Sequence, residues 1–242
     1  MSSQEDMLRI ENLSAGYDGK PVLQELNLTL RQGETCCVIG EDGSGKSTLL
    51  KAISQQLKSS GKIIYNGIDL GALPTAQMTR HGVDFIAQGG NILKGFTVEE
   101  HISLALAEKS ADQKRKAWQE VERTFPKLRT LRNQIAGRLS GGERMILSVA
   151  CVLATDADFL ILDEPTAGLA PETCTTILEF LIRMKEERGK TILLLEHNYE
   201  FGFAVADSVV TLIGGTLSEK YLSNDFRQAE FIENKLYAFW IE

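Results

Sequence analysis

The 242 residues carry 26 Lys and Arg against 33 Asp and Glu, for a formal net charge of −7, and 43% of them are hydrophobic. A chain of this length and apolar content fits one large domain, or one domain with a smaller lobe. The acidic balance argues against a nonspecific grip on DNA or RNA, which depends on cations meeting phosphates, so nucleic acid is not an expected partner.

Cys36, Cys37, Cys151 and Cys174 show no metal-ligand spacing. Cys36 and Cys37 are neighbours in an apolar run, so on a strand their side chains face opposite ways and are poor disulfide partners. Buried free thiols in a reducing cytosol are expected. The start, MSSQEDMLRI, lacks a basic region and an apolar signal core. No run approaches the ~18 apolar residues of a membrane span, so a soluble chain is expected, with any membrane role supplied by a partner.

In chain order, LRIENLSAGY and LQELNLTL alternate apolar and polar residues, the pattern of antiparallel strands with one wet face. TCCVIG is a short continuous apolar run, suited to a strand covered on both faces. It leads into a glycine-rich loop, and STLLKAISQQL then has helical spacing. KIIYNGIDL reads as two strands around an Asn66-Gly67 turn, and VDFIA as a buried strand ending at Gln88. From residue 89 to about 154 the pattern is mostly helical. Thr97 and Glu100 form a capping box, QKRKAWQEVERTF is a charged helix with one apolar stripe, and Pro126 is expected to break it. FLILDE and TILLLEH are further buried strands. The helix between them has Pro171 in its first turn and Gly189 past its end. A hairpin at Gly214-Gly215 and a C-terminal helix containing FIENKLYAFW complete the chain. The alternation predicts an α/β fold with a mostly parallel sheet. Residues 1–88 and 155–242 would form the core with an antiparallel β part, and residues 89–154 an inserted helical lobe.

Residues 40–48, GEDGSGKST, fit the frame of a phosphate-binding loop, G-x-x-x-x-G-K-[ST]. The context also fits, because the loop follows a buried strand and opens a helix. Gly43 and Gly45 let backbone N–H groups turn toward phosphate oxygens, and the helix N-terminus adds partial positive charge. Lys46 would reach the β and γ phosphates, and Ser47 would ligate Mg²⁺. In FLILDE, Asp163 suits a hold on Mg²⁺ and Glu164 suits a base acting on the attacking water. Ser140, Gly141 and Gly142, in LSGGE, form a second anion-binding corner at a helix start. The bland alternatives are a strand–helix turn, an acidic strand end and an ordinary helix cap. They lose weight because all three motifs occur together.

Over essentially its whole length the chain resembles the ATP-binding-cassette (ABC) ATPases, a P-loop NTPase family. The resemblance implies that Tyr17 stacks on adenine, that Gly40, Glu41, Asp42, Gly43, Ser44, Gly45, Lys46, Ser47 and Thr48 are the Walker A loop, and that Gln88 is the Q-loop glutamine, near the metal. LSGGE would be the signature, Asp163 and Glu164 the Walker B pair, AGLA the D-loop and His197 the switch histidine. It also implies ATP and Mg²⁺ as cofactors and a head-to-tail pairing with a second ABC ATPase subunit, identical or homologous. ATP would then lie between one chain's Walker loop and the other's Ser140 to Gly142.

IAQGGNILKGFTVEEHI, FPKLRTLRNQIAGRLSGGE and DEPTAGLAPE are similar to ATPase subunits of branched-chain amino-acid and urea-type importers. Such subunits pair beneath integral membrane permease subunits at the cytoplasmic face of the membrane, in systems that include an extracytoplasmic solute-binding protein. Lipopolysaccharide-export ATPases are close cousins, and a non-transport or regulatory ABC protein is a further alternative. The chain departs from that pattern at Glu41-Asp42, where relatives commonly carry Pro-Asn, at Arg144-Met145 in place of glutamines, and at Cys151-Val152-Leu153, near an expected arginine. Two carboxylates beside an anion predict a working site of weakened affinity.

Overall fold

The computed structural model describes residues 6–226. Strand β1 (Asp6–Tyr17) pairs antiparallel with β2 (Lys20–Arg31) on one edge and with β4 (Ser59–Tyr65) on the other. The Asn66-Gly67 turn, with both φ angles positive, returns β4 into β5 (Ile68–Asp69). The order of this sheet is β2-β1-β4-β5, and the alternating residues Leu8, Ile10, Leu26, Leu28 and Leu30 are buried.

The second sheet is built on β3 (Thr35–Ile39), β6 (Val83–Ile86), β7 (Phe159–Asp163), β8 (Thr191–Glu196) and β9 (Ser208–Ile213). They lie in the order β9-β3-β8-β7-β6 and every neighbouring pair is parallel. Past Gly214-Gly215, β10 (Thr216–Leu217) turns back antiparallel onto β9, as does β11 (Tyr221–Leu222). The sheet is covered on both faces. Cys36, Val38, Phe159, Ile161, Leu193 and Leu195 point toward the antiparallel sheet and helix α1 (Lys46–Ile53). Cys37, Ile39, Leu160, Leu162, Ile192 and Leu194 point into the opposite cluster, shared with α5 (Gly141–Thr155), α6 (Pro171–Arg188) and α7 (Tyr199–Val205). The two adjacent thiols therefore lie on opposite faces and are free and buried, whereas Cys151 and Cys174 are only half-buried. Strand β6 is the edge of this sheet, which is why Asp84 and Phe85 are half-buried where the apolar run suggested full burial.

Between β6 and α5 lie α2 (Val98–Ala105), α3 (Ala111–Thr124) and α4 (Pro126–Thr130). Capping boxes at Thr97, Ser110 and Ser140 open α2, α3 and α5. The helix break expected at Pro126 is present, and a further short helix starts on the same residue. α3 ends at Thr124, and Pro126 is the first residue of α4, where its missing N–H costs nothing. Gly189, at φ 60°, closes α6. The aromatic stretch 231–240 lies outside the described residues. Among those residues no helix is long and apolar enough to cross a membrane.

Candidate nucleotide site

Parallel strands end together, so the residues that follow β3, β8, β7 and β6 must emerge side by side at one edge. These are the loop of residues 40–45, His197, Glu164 and Gln88. They come from widely separated parts of the sequence, and the sheet order alone makes them neighbours.

The loop needs its glycines for definite reasons. A Cβ on Gly40 would stand 2.7 Å from the Leu212 carbonyl oxygen. Gly45 caps α1 at φ 113°, and a Cβ there would stand 2.7 Å from Leu23. Gly43, at φ 83°, has nothing within 4 Å of an added Cβ, so its left-handed backbone rather than crowding explains the glycine. Lys46 is 4% exposed. Its Nζ donates to the carbonyls of Gly40 at 2.7 Å and Glu41 at 2.8 Å, and pairs with Glu164 Oε1 at 3.0 Å. The other Glu164 oxygen accepts from Gln88 Nε2 at 2.7 Å, and His197 Nδ1 stands 4.0 Å from it. Glu164 is 5% exposed and holds a left-handed φ of 47°, an uncommon backbone state for a residue with a side chain.

Behind Glu164, burial is the largest influence on the Asp163 carboxyl and pushes its pKa up, while a hydrogen bond from Ser47 opposes this. Asp163 Oδ1 and Ser44 Oγ are buried with no hydrogen-bond partner. Two unsatisfied polar atoms beside a lysine cradle mark a site shaped for a polar guest. Asp163 and Ser47 supply two oxygens, and Mg²⁺ typically takes one or two protein oxygens beside those of substrate phosphates, so these residues fit that ion.

An open cleft of about 360 Å³ includes Val22, Lys46, Ser47, Thr48, Gln88 and Glu164 in its lining. Glu41 and Asp42 carry exposed side chains, and Asp42 and Gly43 also line this cleft. Tyr17, 42% exposed at the end of β1, lies with Lys51 Nζ 5.6 Å from its ring centre. Ser140, Gly141 and Gly142 are not part of the cleft lining. Ser140 caps α5 and is exposed, its hydroxyl accepting from the Glu143 N–H. A Cβ on Gly141 would meet nothing nearer than 4.0 Å. This corner is therefore largely exposed and separate from the lining of its own chain's cleft.

Sequence reasoning missed Glu196. This fully buried carboxylate ends β8, and one oxygen accepts from the Thr166 hydroxyl at 2.6 Å and the Thr166 N–H at 3.3 Å. The other accepts from the N–H groups of His197 at 3.1 Å and Asn198 at 3.2 Å. It ties the segment after Glu164 to the segment that carries His197. The available signal was a carboxylate closing an apolar strand immediately before the histidine.

The model of the ABC transporter family matches residues 23–167. The chain belongs to the ABC transporter family. Membership carries ATP binding and ATPase activity in transport. The chain is 32% identical over 228 residues to the probable branched-chain amino acid transport ATP-binding protein LivF of Archaeoglobus fulgidus, covering 94% of this chain and 97% of that one. The high-affinity branched-chain amino acid transport ATP-binding protein BraG of Pseudomonas aeruginosa is 31% identical, with 87% and 91% covered. The petrobactin import ATP-binding protein YclP of Bacillus subtilis matches at 30%, with 87% and 85% covered. Among solved structures, an ATP-binding subunit of an ABC transporter superposes with a TM-score of 0.84 at 26% identity, over 97% of this chain and 98% of that one.

Proposed function

We propose that this chain is the ATP-hydrolysing subunit that powers uptake of branched-chain amino acids or a similar small polar solute. The observation that carries the ATPase part is the meeting of Lys46, Gln88 and Glu164 in one cleft, with His197 Nδ1 4.0 Å from Glu164, and Asp163 Oδ1 and Ser44 Oγ lacking hydrogen-bond partners. Phosphates enter where the loop N–H groups and Lys46 point, and Tyr17 offers its exposed ring to adenine. When bound, Mg²⁺ would be held through Ser47 and Asp163, with Gln88 nearby, and would neutralise charge on the phosphates. Glu164 accepts the proton of the attacking water, and His197 steadies the transferring phosphoryl group. For this, Glu164 must give up Lys46 and Gln88, which hold both its oxygens.

Ser140 to Gly142 lie outside the lining of their own chain's cleft, which supports a composite site completed by a second ATPase subunit, an identical copy or a sister chain. Residues 89–154 form the lobe that carries this corner. A groove of about 680 Å³ between β6, α2 and α5, with the exposed Leu104 in its lining, is the docking place for integral membrane permease subunits at the cytoplasmic face of the membrane. A solute-binding protein outside the membrane selects the substrate. The test is purification from native membranes with the associated permease identified, followed by ATPase assays of the complex with each branched-chain amino acid and its binding protein. Stimulation by leucine, isoleucine or valine supports the reading. An associated exporter permease would replace the import part, and failure to hydrolyse ATP would remove the whole.

A further inference from the structure

The groove between β6, α2 and α5 has a chemical signature of its own. Asp84 lies in it with Leu104, Ser148, Cys151 and Thr155. The Asp84 carboxylate accepts from the Thr155 hydroxyl at 2.8 Å and from the Phe85 N–H at 3.0 Å. Arg80, in the same lining, is held by Glu108, its Nε donating at 2.8 Å. Lys109 also lines the groove. Among the described residues, neither Lys109 nor any other lysine or arginine comes within ion-pair distance of Asp84. Burial pushes its carboxyl pKa up, the hydrogen bonds from Thr155 and Phe85 oppose this, and no cation helps them. A carboxylate half withdrawn from water with two neutral donors is incompletely compensated. A protonated amine or guanidinium placed in the groove would complete it.

We propose that Asp84 receives a lysine or arginine side chain carried by the permease segment that docks in this groove. The inference rests on the reading of the groove as the permease site and adds the chemistry of the contact. Leu104, 54% exposed, supplies an apolar contact and Asp84 an anionic one, so the matching segment is an amphipathic helix with one basic residue beside its apolar stripe. Among the described residues no hydrogen bond or ion pair joins Asp84 to the residues that line the nucleotide cleft, so its charge can change without altering the cleft's chemistry.

The test uses membranes of the organism that encodes the chain, washed free of their own peripheral subunits and titrated with purified full-length chain. Asp84→Asn keeps acceptor capacity and removes the charge, Asp84→Lys reverses it, and Leu104→Asp disrupts the apolar contact. ATP hydrolysis without membranes and thermal unfolding check that each variant is folded. The expected result is a Kd for membranes raised about tenfold by Asp84→Asn and further by Asp84→Lys, with soluble ATPase activity unchanged. If Leu104→Asp weakens binding while both Asp84 variants bind like the wild type, the cation inference is wrong and the docking reading stands. If all three bind like the wild type, the groove is not the permease site. If the Asp84 variants bind more tightly, the partner's group there is acidic and the inference is overturned.

Discussion

Glu164→Gln removes the charge that pairs with Lys46 in the cleft, and its effect on nucleotide affinity can be worked from the geometry. At 3.0 Å the pair attracts by about 5–6 kcal/mol at an effective dielectric of about 20. Desolvation of two buried ions offsets most of that, and Lys46 keeps the Gly40 and Glu41 carbonyls in the variant. A net competition of about 1–2 kcal/mol remains, so phosphates should bind Glu164→Gln about 5–30-fold more tightly. ADP is the right probe, because without a γ-phosphate it separates the release of Lys46 from any closure of two subunits. Isothermal titration of ADP into wild type and variant measures the ratio. Gln88→Ala, which loses a hydrogen bond but no charge, should leave ADP affinity within about twofold. Equal or weaker ADP binding by Glu164→Gln would show that the ion pair does not oppose nucleotide entry.

Glu41 and Asp42 are exposed, so their charges act on phosphate through water. Glu41→Pro with Asp42→Asn should tighten ATP binding about two- to fivefold in a titration, at about 0.5 kcal/mol per carboxylate ~8 Å away. Asp163 holds its proton above the ordinary value of 3.8, mainly through burial. The folded chain therefore keeps a proton the unfolded chain has released, and stability falls as pH rises from 3.8 through the raised pKa. Asp163→Asn should accordingly raise Tm at neutral pH, lose that advantage in acid below this window, and abolish hydrolysis; denaturation at the two pH values checks the sign. His101 is 4% exposed, with Nε2 accepting from the Leu93 N–H at 2.9 Å and Nδ1 facing the Thr97 carbonyl at 2.8 Å. His101→Ala should cost about 2 kcal/mol in denaturant unfolding.

The strands were legible because each has one simple pattern: alternation in β1 and β2, continuous apolar runs in β3, β7 and β8. Helix starts were legible where a side chain does the capping, as at Thr97. The break at Pro126 was legible, but the start of α4 on that same residue was not, because a proline that stops one helix can equally start the next. The motif residues were readable from their spacing, but their resting contacts were not. Lys46 and Glu164 are 118 positions apart, and nothing local in either stretch says that they meet. The same holds for Asp84, whose setting depends on Cys151 and Thr155 coming from a helix that starts 57 residues later. Glu196 looked like the polar end of a strand until its four donors were visible.

The composite site is tested most directly by complementation between two defective copies. Lys46→Ala loses the phosphate cradle and keeps the Ser140 corner, whereas Ser140→Arg blocks that corner and keeps the cradle. Each should be inactive alone. Mixed in equal amounts, half of the pairs would hold one intact site, restoring about a quarter of the wild-type ATPase rate. A Ser140→Arg variant that hydrolyses ATP normally by itself would contradict the account, and a mixture that stays as inactive as its components would rule out pairing of identical copies.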